Sequence, residues 1–171
     1  MPLEPGDPLP EDEALLCDGE TFRPRRVPEL VGNRGLVVSL FGFCYSAIAR
    51  NWWKRYERYG WGAAAEGDDG GGDEIDWSGV PVVGAARDGP YATNAFLRAI
   101  DSPFRVLADV DGAVADGFGV RRDRDGWPDA SSARRAVYVA DADGVVTERW
   151  LAEDDISPQD VDTILDAVDG L

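Results

Sequence analysis

Short apolar runs alternate with amphipathic stretches along this chain, and that alternation restricts the possible folds more than any other feature of the sequence. The run "GLVVSLFG" (Gly35 to Gly42) is almost continuously apolar and has the length of a strand covered on both faces. It leads into "AIARNWWKRYERYG", which has the spacing of an amphipathic helix closing at Gly60, and Ser46 stands where it can cap the helix N-terminus. A buried strand followed by a helix predicts an α/β domain.

The remaining segments extend this pattern. "ALLCDGETF" predicts an N-terminal β-hairpin with its turn at Asp18-Gly19, and "RRAVYVADADGVVTERWL" predicts a second hairpin turning at Asp143-Gly144. Between them we expect strands in "VPVVGAA" and "FRVLAD", each followed by a helix. The C-terminal "SPQDVDTILDAVDGL" predicts a helix with Ser157 as its N-cap. Together these elements predict a three-layer α/β/α sandwich with a mixed central sheet.

The length of 171 residues suits a single domain with a substantial core, so we expect one domain over residues 1–171. The segment around residues 62–76 is rich in glycine and aspartate and poor in apolar residues. Such a composition buries little surface, and we therefore expect a flexible acidic loop there.

The charge balance is strongly acidic, with 17 basic against 33 acidic residues and a net charge of −16. The acidic residues are spread from Glu4 to Asp169 instead of forming one block, which favours solubility at very high salt over a basic partner. We therefore expect a protein from a halophile. Because no basic stripe is present to displace counterions from phosphates, we expect no nucleic-acid binding.

The composition argues against several other classes of protein. No apolar run approaches the ~20 residues needed to cross a bilayer, and the first residues lack the pattern of a secretory signal, so we expect a cytoplasmic protein without membrane contact. The chain has no histidine, which excludes Ser-His-Asp and Cys-His catalysis and argues against the usual zinc and iron sites. We expect no metal or cofactor. Its two cysteines, Cys17 and Cys44, are too few for a disulfide scaffold.

The order of these elements and several local motifs resemble the peroxiredoxins, the alkyl hydroperoxide reductase and thiol-specific antioxidant (AhpC/TSA) group of the thioredoxin-like fold. "GDPLPEDEALLCDGETF" resembles the opening of the family, and "PFRVLADVDGAVADGFGV" resembles its strand, D-x-D-G turn and helix. "RRAVYVADADGVV" is similar to its arginine-led strand and D-G hairpin. The resemblance covers about Pro8 to Val168 and implies a thioredoxin-like fold and an antioxidant oxidoreductase.

The active-site motif of the family is only partly present. Peroxiredoxins have a proline, three residues, a threonine or serine, two residues and then the cysteine that attacks the peroxide. Laid on "GFCYSAIA" without gaps, this motif assigns the proline position to Gly42, the hydroxyl to Ser46 and the cysteine position to Ala49. Cys44 falls in the variable loop, and the later arginine of the family is Arg135.

The resemblance implies that the catalytic positions are Ser46, Ala49 and Arg135, with Cys44 as the only nearby thiol. The attacking group must be a thiolate, and alanine supplies no nucleophile.

Two functions stay open: a non-catalytic protein that binds a partner, as a homodimer or with a related peroxiredoxin, and a thiol-dependent peroxidase or oxidoreductase that uses Cys44. We favour the first. A peroxide or thiol reductant is expected as a partner only if Cys44 is active. Arg135 could hold a ligand or form an ion pair at the sheet edge, and capping of the helix alone accounts for Ser46.

Overall fold

The structure, a computed structural model, describes residues 1–58, 79–127 and 130–171, with only the backbone at residue 52 and at residues 55–58. The strands are β1 (Glu13–Cys17), β2 (Phe22–Arg26), β3 (Gly35–Leu40), β4 (Val82–Ala86), β5 (Arg105–Ala108), β6 (Arg121–Asp123), β7 (Ser131–Ala133), β8 (Ala136–Asp141) and β9 (Val146–Leu151). The helices are α1 (Ala47–Arg58), α2 (Pro90–Ala99), α3 (Ala113–Gly117) and α4 (Val161–Asp169), and a 3-10 helix spans Val27–Leu30. The expected loop around 62–76 and the expected helix end at Gly60 lie outside the described residues.

Seven of these strands form one mixed sheet in the order β2-β1-β5-β4-β3-β8-β9. The central strands β3, β4 and β5 are parallel, while β1 pairs antiparallel with β5 and β8 pairs antiparallel with β3. Parallel neighbours need crossover connections, and α2 supplies the one between β4 and β5. The mixed sheet and the N-terminal hairpin of β1 and β2 are confirmed.

The two faces of the sheet carry separate core clusters, as the alternation of side chains along a strand requires. In β3, Val37 belongs to the cluster that includes residues of α1, α2 and α4, whereas Leu36 and Val38 belong to the cluster that includes residues of α3. All six residues of β3 are buried, which fits its apolar run. The predicted three-layer α/β/α architecture is therefore confirmed.

Helix α1 packs very close to the sheet at β4. Trp53 of α1 is 1% exposed, and its ring occupies the space in which a Cβ at Gly84 would lie. Phe41 and Phe104 contact the same indole, with ring centroids 5.4 and 4.9 Å away. The missing side chain of Gly84 thus lets a tryptophan approach the sheet, and this contact fixes α1 above the ends of β3 and β4.

The start of the last helix differs from the sequence prediction. The N-cap of α4 is Asp160, whose carboxylate accepts hydrogen bonds from the backbone N–H and hydroxyl of Thr163. Ser157 is instead held in a loop, because its N–H and hydroxyl both donate to Asp154 and its carbonyl accepts from Arg135. The prediction of Ser157 as the cap was therefore wrong: competing side-chain contacts keep that residue out of the helix.

The short antiparallel pair β6 and β7 was not predicted from the sequence. Its strands are three residues each and carry arginine, aspartate and serine, so they give no apolar alternation. Of the helices that the structure describes, none is long and apolar enough to span a membrane.

Candidate functional site

The candidate site lies at the edge of the sheet where β3 ends and β8 begins. Because β3 and β8 are antiparallel and Leu40 pairs with Ala136, the residue before Ala136 lies beside the residue after Leu40. This register brings Arg135 to the same edge as Phe41 and Gly42. The chain then turns through Ser46 into α1, whose first residues close the site from above.

A cavity of about 340 Å³, here called the inner cavity, lies at this edge. Its apolar walls include Phe41, Ile48, Ala49, Trp53, Val137 and Trp150. Its described polar lining comes from Ser39, Ser46, Arg124, Arg135, Asp155 and Gln159. The site therefore combines a mostly apolar wall with a few polar groups, as small-molecule sites do.

Ser46 and Ala49 occupy the first turn of α1. The Ser46 hydroxyl accepts a hydrogen bond from the backbone N–H of Ala49 at 3.2 Å and donates to the carbonyl of Phe43 at 2.9 Å. Ser46 is thus the N-cap, and the backbone N–H of Ala49 at the third helical position is its partner. Ala49 is 3% exposed and presents only a methyl group to the inner cavity.

Arg135 is buried and is held by backbone carbonyls of the segment between β9 and α4. Its Nη1 donates to the carbonyl of Asp155 at 3.2 Å, and its Nη2 donates to the carbonyl of Ser157. The guanidinium carbon lies 5.6 Å from the ring centroid of Trp150. These contacts fix the position of the positive charge at the wall of the inner cavity.

Cys44 is not among the described residues that line the inner cavity, and its side chain is fully buried in the core cluster beneath α2. Its thiol donates to the hydroxyl of Thr93, with Sγ and Oγ1 3.9 Å apart, because that hydroxyl already donates to the carbonyl of Gly89. Burial, together with the nearby Asp88 carboxylate, raises the pKa of the Cys44 thiol far above its ordinary value. The thiol is therefore neutral at physiological pH.

Cys17 lies at the end of β1 and is also buried and reduced. Its Sγ is 3.6 Å from the carbonyl of Leu15 and 3.8 Å from the carbonyl of Pro90. Burial, and to a lesser extent the carboxylate of Asp18, raises the pKa of Cys17 to about 11. Both thiols thus contact the first turn of α2 and not the inner cavity.

Sequence reasoning missed two charged residues of the site, Arg124 and Asp155. The Nη1 of Arg124 lies 3.4 Å from a carboxylate oxygen of Asp155, and its Nε donates to the hydroxyl of Ser132 at 2.6 Å. The Nη2 of Arg124 occupies the space in which a Cβ at Gly42 would lie. The signal that could have found Arg124 is the concentration of arginine between residues 121 and 135, in a chain with few basic residues.

Among the residues that the structure describes, no three histidine, cysteine, aspartate or glutamate side chains gather as metal ligands. The described charged groups at the inner cavity are instead the guanidinium groups of Arg124 and Arg135 and the carboxylate of Asp155, with the N-terminus of α1 beside them. The guanidinium groups and the helix N-terminus favour an anion or a hydrogen-bond acceptor over a cation, and the Asp155 carboxylate opposes them.

A mixed sheet of this order, with helices on both faces, is the thioredoxin-like fold. The structure superposes on PrxQ of Xylella fastidiosa, a cysteine-to-serine mutant, with a TM-score of 0.74 over 99% of this chain and 98% of that chain, at 14% identity. It superposes on AhpC of Mycobacterium tuberculosis with a TM-score of 0.74 over 99% and 93% of the two chains, at 16% identity. These likenesses establish the fold.

The sequence comparison adds the family. Residues 71–149 match the AhpC/TSA family. A stretch of 78 residues is 27% identical to the putative peroxiredoxin bcp of Coxiella burnetii, covering 45% of this chain and about half (52%) of that protein. Residues 71–149 of this chain are therefore similar to the AhpC/TSA family, and the solved neighbours share its thioredoxin-like fold. The family match begins after residue 70, so it does not include the segment from Gly42 to Ala49.

Proposed function

We propose that this protein does not carry out the thiol-peroxidase reaction of its family and acts instead as a binding protein that uses the inner cavity. The observation that carries the proposal is the position of Ala49. It stands in the first turn of α1, next to the Ser46 cap and at the wall of the cavity that Arg135 also lines. The family places its reacting thiolate in such a turn, and a methyl group can neither attack a peroxide nor be oxidised.

The surroundings of Cys44 support the same proposal. A replacement nucleophile would need access to solvent and a lowered pKa. Cys44 is fully buried, and its pKa is raised by that burial and by Asp88. The thiol donates to the hydroxyl of Thr93, and this contact lowers the pKa of Cys44 by less than burial and Asp88 raise it. The net effect of the described surroundings is a raised pKa, so they do not activate the sulfur.

A thiol enzyme that works through Cys44 is the second candidate. The observation in its favour is that Cys44 and Cys17 both contact the first turn of α2, at Thr93 and at the carbonyl of Pro90. A movement of that turn would expose both sulfurs together, and Cys17 would then be the resolving thiol. This candidate requires an opened state, since both thiols are buried in the described state.

Peroxide consumption separates the two candidates. The purified protein is mixed with hydrogen peroxide and dithiothreitol, beside the variants Cys44→Ser and Cys17→Ser. We expect all three to consume peroxide at the rate of the reductant alone. A rate above that background that is lost in Cys44→Ser and kept in Cys17→Ser would overturn the proposal and identify Cys44 as the nucleophile.

A further inference from the structure

Arg124 lies at the boundary between two spaces. One is the inner cavity. The other is a groove of about 350 Å³, here called the outer groove, which Phe43, Arg122 and Trp127 help to line. Arg124, Asp155 and Ser46 line both spaces, whereas Arg122 lines only the outer groove. A ligand that enters the inner cavity from the outer groove therefore passes Arg124 and Asp155.

The guanidinium of Arg124 is positioned, but its charge is only weakly neutralised. Ser132 fixes its Nε, and the Phe43 ring lies below it, with 5.7 Å between the guanidinium carbon and the ring centroid. Its pairing with Asp155 is long at 3.4 Å, and the Asp155 side chain is 54% exposed and shared with Arg122. Ion pairs of this kind are screened by water and contribute little, so another carboxylate can replace Asp155 at small cost.

The missing side chain of Gly42 makes this arrangement possible. A Cβ at that position would collide with Nη2 of Arg124, so the glycine lets the guanidinium reach over the end of β3. Among the residues that the structure describes, two guanidinium groups, Arg124 and Arg135, then line the inner cavity against one carboxylate, in a chain whose net charge is −16. The polar end of the inner cavity is thus cationic, although the molecule is strongly acidic.

We infer that the inner cavity takes a monocarboxylate with an apolar body, and that Arg124 recognises its carboxylate by exchanging Asp155 for the ligand. The inference rests on the proposed binding function and names the class of ligand. The apolar body is required because Phe41, Ile48, Trp53 and Trp150 form the walls. A small inorganic anion would leave those walls unfilled, and a cation would be repelled by both guanidinium groups. The planar guanidinium fork matches the geometry of a carboxylate.

The volume is consistent with such a ligand, since about 340 Å³ lies at the lower end of the range for small-molecule sites. We therefore choose octanoate as the probe, 1-octanol as the neutral probe with the same apolar body, and acetate as the probe without that body. Isothermal titration calorimetry with the full chain measures the three dissociation constants. We expect octanoate to bind at least about tenfold more tightly than either of the others.

Three variants test the role of Arg124. Arg124→Gln should weaken octanoate binding about tenfold and leave 1-octanol unchanged, because a charge-assisted hydrogen bond is lost. Asp155→Asn should tighten octanoate binding by about two- to fivefold, because the internal competitor is removed. Arg122→Gln is the matched control: it also removes a partner of Asp155 but does not line the inner cavity, and it should change octanoate binding less than about twofold.

Arg124→Gln and Asp155→Asn are expected to change the octanoate affinity in opposite directions, so the test stays informative if one of them folds poorly. The melting temperature of each variant shows whether it is folded. Equal binding of octanoate and 1-octanol, or equal effects of Arg124→Gln and Arg122→Gln, would overturn the assignment of the ligand class. No binding of octanoate would do the same. The peroxide assay described above tests the proposed function independently, so the two failures are distinguishable.

Discussion

At the scale of single residues, Ala49 and Cys44 lie in different environments although only five positions separate them. Ala49 is in the first turn of a helix, at the wall of a cavity lined by two arginines. Cys44 is packed against Thr93 in an apolar cluster. The helix N-terminus and the guanidinium groups can lower the pKa of a group at position 49, while burial raises the pKa of the thiol at position 44.

This difference predicts the reactivity of the native thiols. We expect iodoacetamide at pH 8 to label neither Cys44 nor Cys17 in the folded protein and to label both after denaturation. A thiol with a pKa of about 11, as for Cys17, is thiolate in only about one molecule in a thousand at that pH, and burial hinders the reagent as well. Mass spectrometry of the alkylated peptides measures this. Rapid labelling of Cys44 alone at about pH 6 would contradict the prediction and support the second candidate function.

Ala49→Cys should restore a reactive thiol. The new sulfur would lie at the N-terminal turn of α1, in the cavity that Arg135 lines, and we expect its pKa to fall below the ~8.5 of a free cysteine. Trapping of the sulfenic acid after exposure to hydrogen peroxide should show faster oxidation at position 49 than at Cys44. Oxidation at position 49 no faster than that of a free cysteine would show that the surroundings no longer activate a thiol.

Restoring the family's proline with Gly42→Pro should, by contrast, harm the fold. The family motif has a proline at the position of Gly42, but a Cβ there would collide with Nη2 of Arg124. Nη2 is the end of a flexible side chain and can move aside, but only by weakening its contacts with Ser132 and Asp155, so we expect Gly42→Pro to destabilise the protein by about 0.5–1 kcal/mol. Adding Arg124→Ala should recover most of that loss in chemical denaturation. A Gly42→Pro variant as stable as the wild type would show that Arg124 moves aside freely.

At the scale of secondary-structure elements, α1 depends on its cap. The Ser46 hydroxyl satisfies the N–H of Ala49, and removing it leaves that donor without its partner. We expect Ser46→Ala to lower the free energy of unfolding by about 1 kcal/mol, and Ser46→Thr, which keeps the hydroxyl, to lower it by less. Urea unfolding followed by circular dichroism measures both. Equal stability of the wild type and Ser46→Ala would remove capping as the explanation for Ser46.

The elements with strong local signals were predicted, and the elements without them were not. The apolar run of β3 and the two Asp-Gly turns each encode their structure locally. Strands β6 and β7 do not, because three-residue polar strands are stabilised by pairing between distant residues. The predicted start of α4 was wrong for a related reason. Serine is a common N-cap residue, but Ser157 forms hydrogen bonds with Asp154 and Arg135 instead of capping the helix.

The candidate site likewise contains some residues that the sequence predicted and others that it did not. Ser46, Ala49 and Arg135 were predicted, because a family motif assigns them, and the antiparallel register of β3 and β8 brings them to one cavity. Arg124 and Asp155 come from β6–β7 and from the segment after β9, and no motif links these segments to the end of β3. Only the three-dimensional structure shows that Gly42 makes room for Arg124.

At the scale of the whole molecule, the dispersed negative charge predicts a dependence on salt. With a net charge of −16 and pI near 4.2, carboxylates repel one another at low ionic strength, and about 1 M salt screens that repulsion to within about 3 Å. We expect the melting temperature to rise by at least about 5 °C between 0.05 and 2 M KCl. Potassium chloride is preferred to a sulfate, because sulfates stabilise folded proteins generally through exclusion from the surface.

A variant of α4 separates charge repulsion from other effects of salt. Asp162, Asp166 and Asp169 are exposed on this one helix, and replacing all three by asparagine removes three negative charges from the surface. We expect the triple variant to melt at a higher temperature than the wild type at 0.05 M KCl. At 2 M KCl we expect this difference to disappear, because the salt then screens the repulsion between the carboxylates of the wild type. Differential scanning calorimetry measures both melting temperatures. A wild-type melting temperature independent of KCl would show that the acidic surface is not an adaptation to salt. If the melting temperatures of the variant and the wild type differ by the same amount at both salt concentrations, the cause is a local contact of the helix and not the net charge.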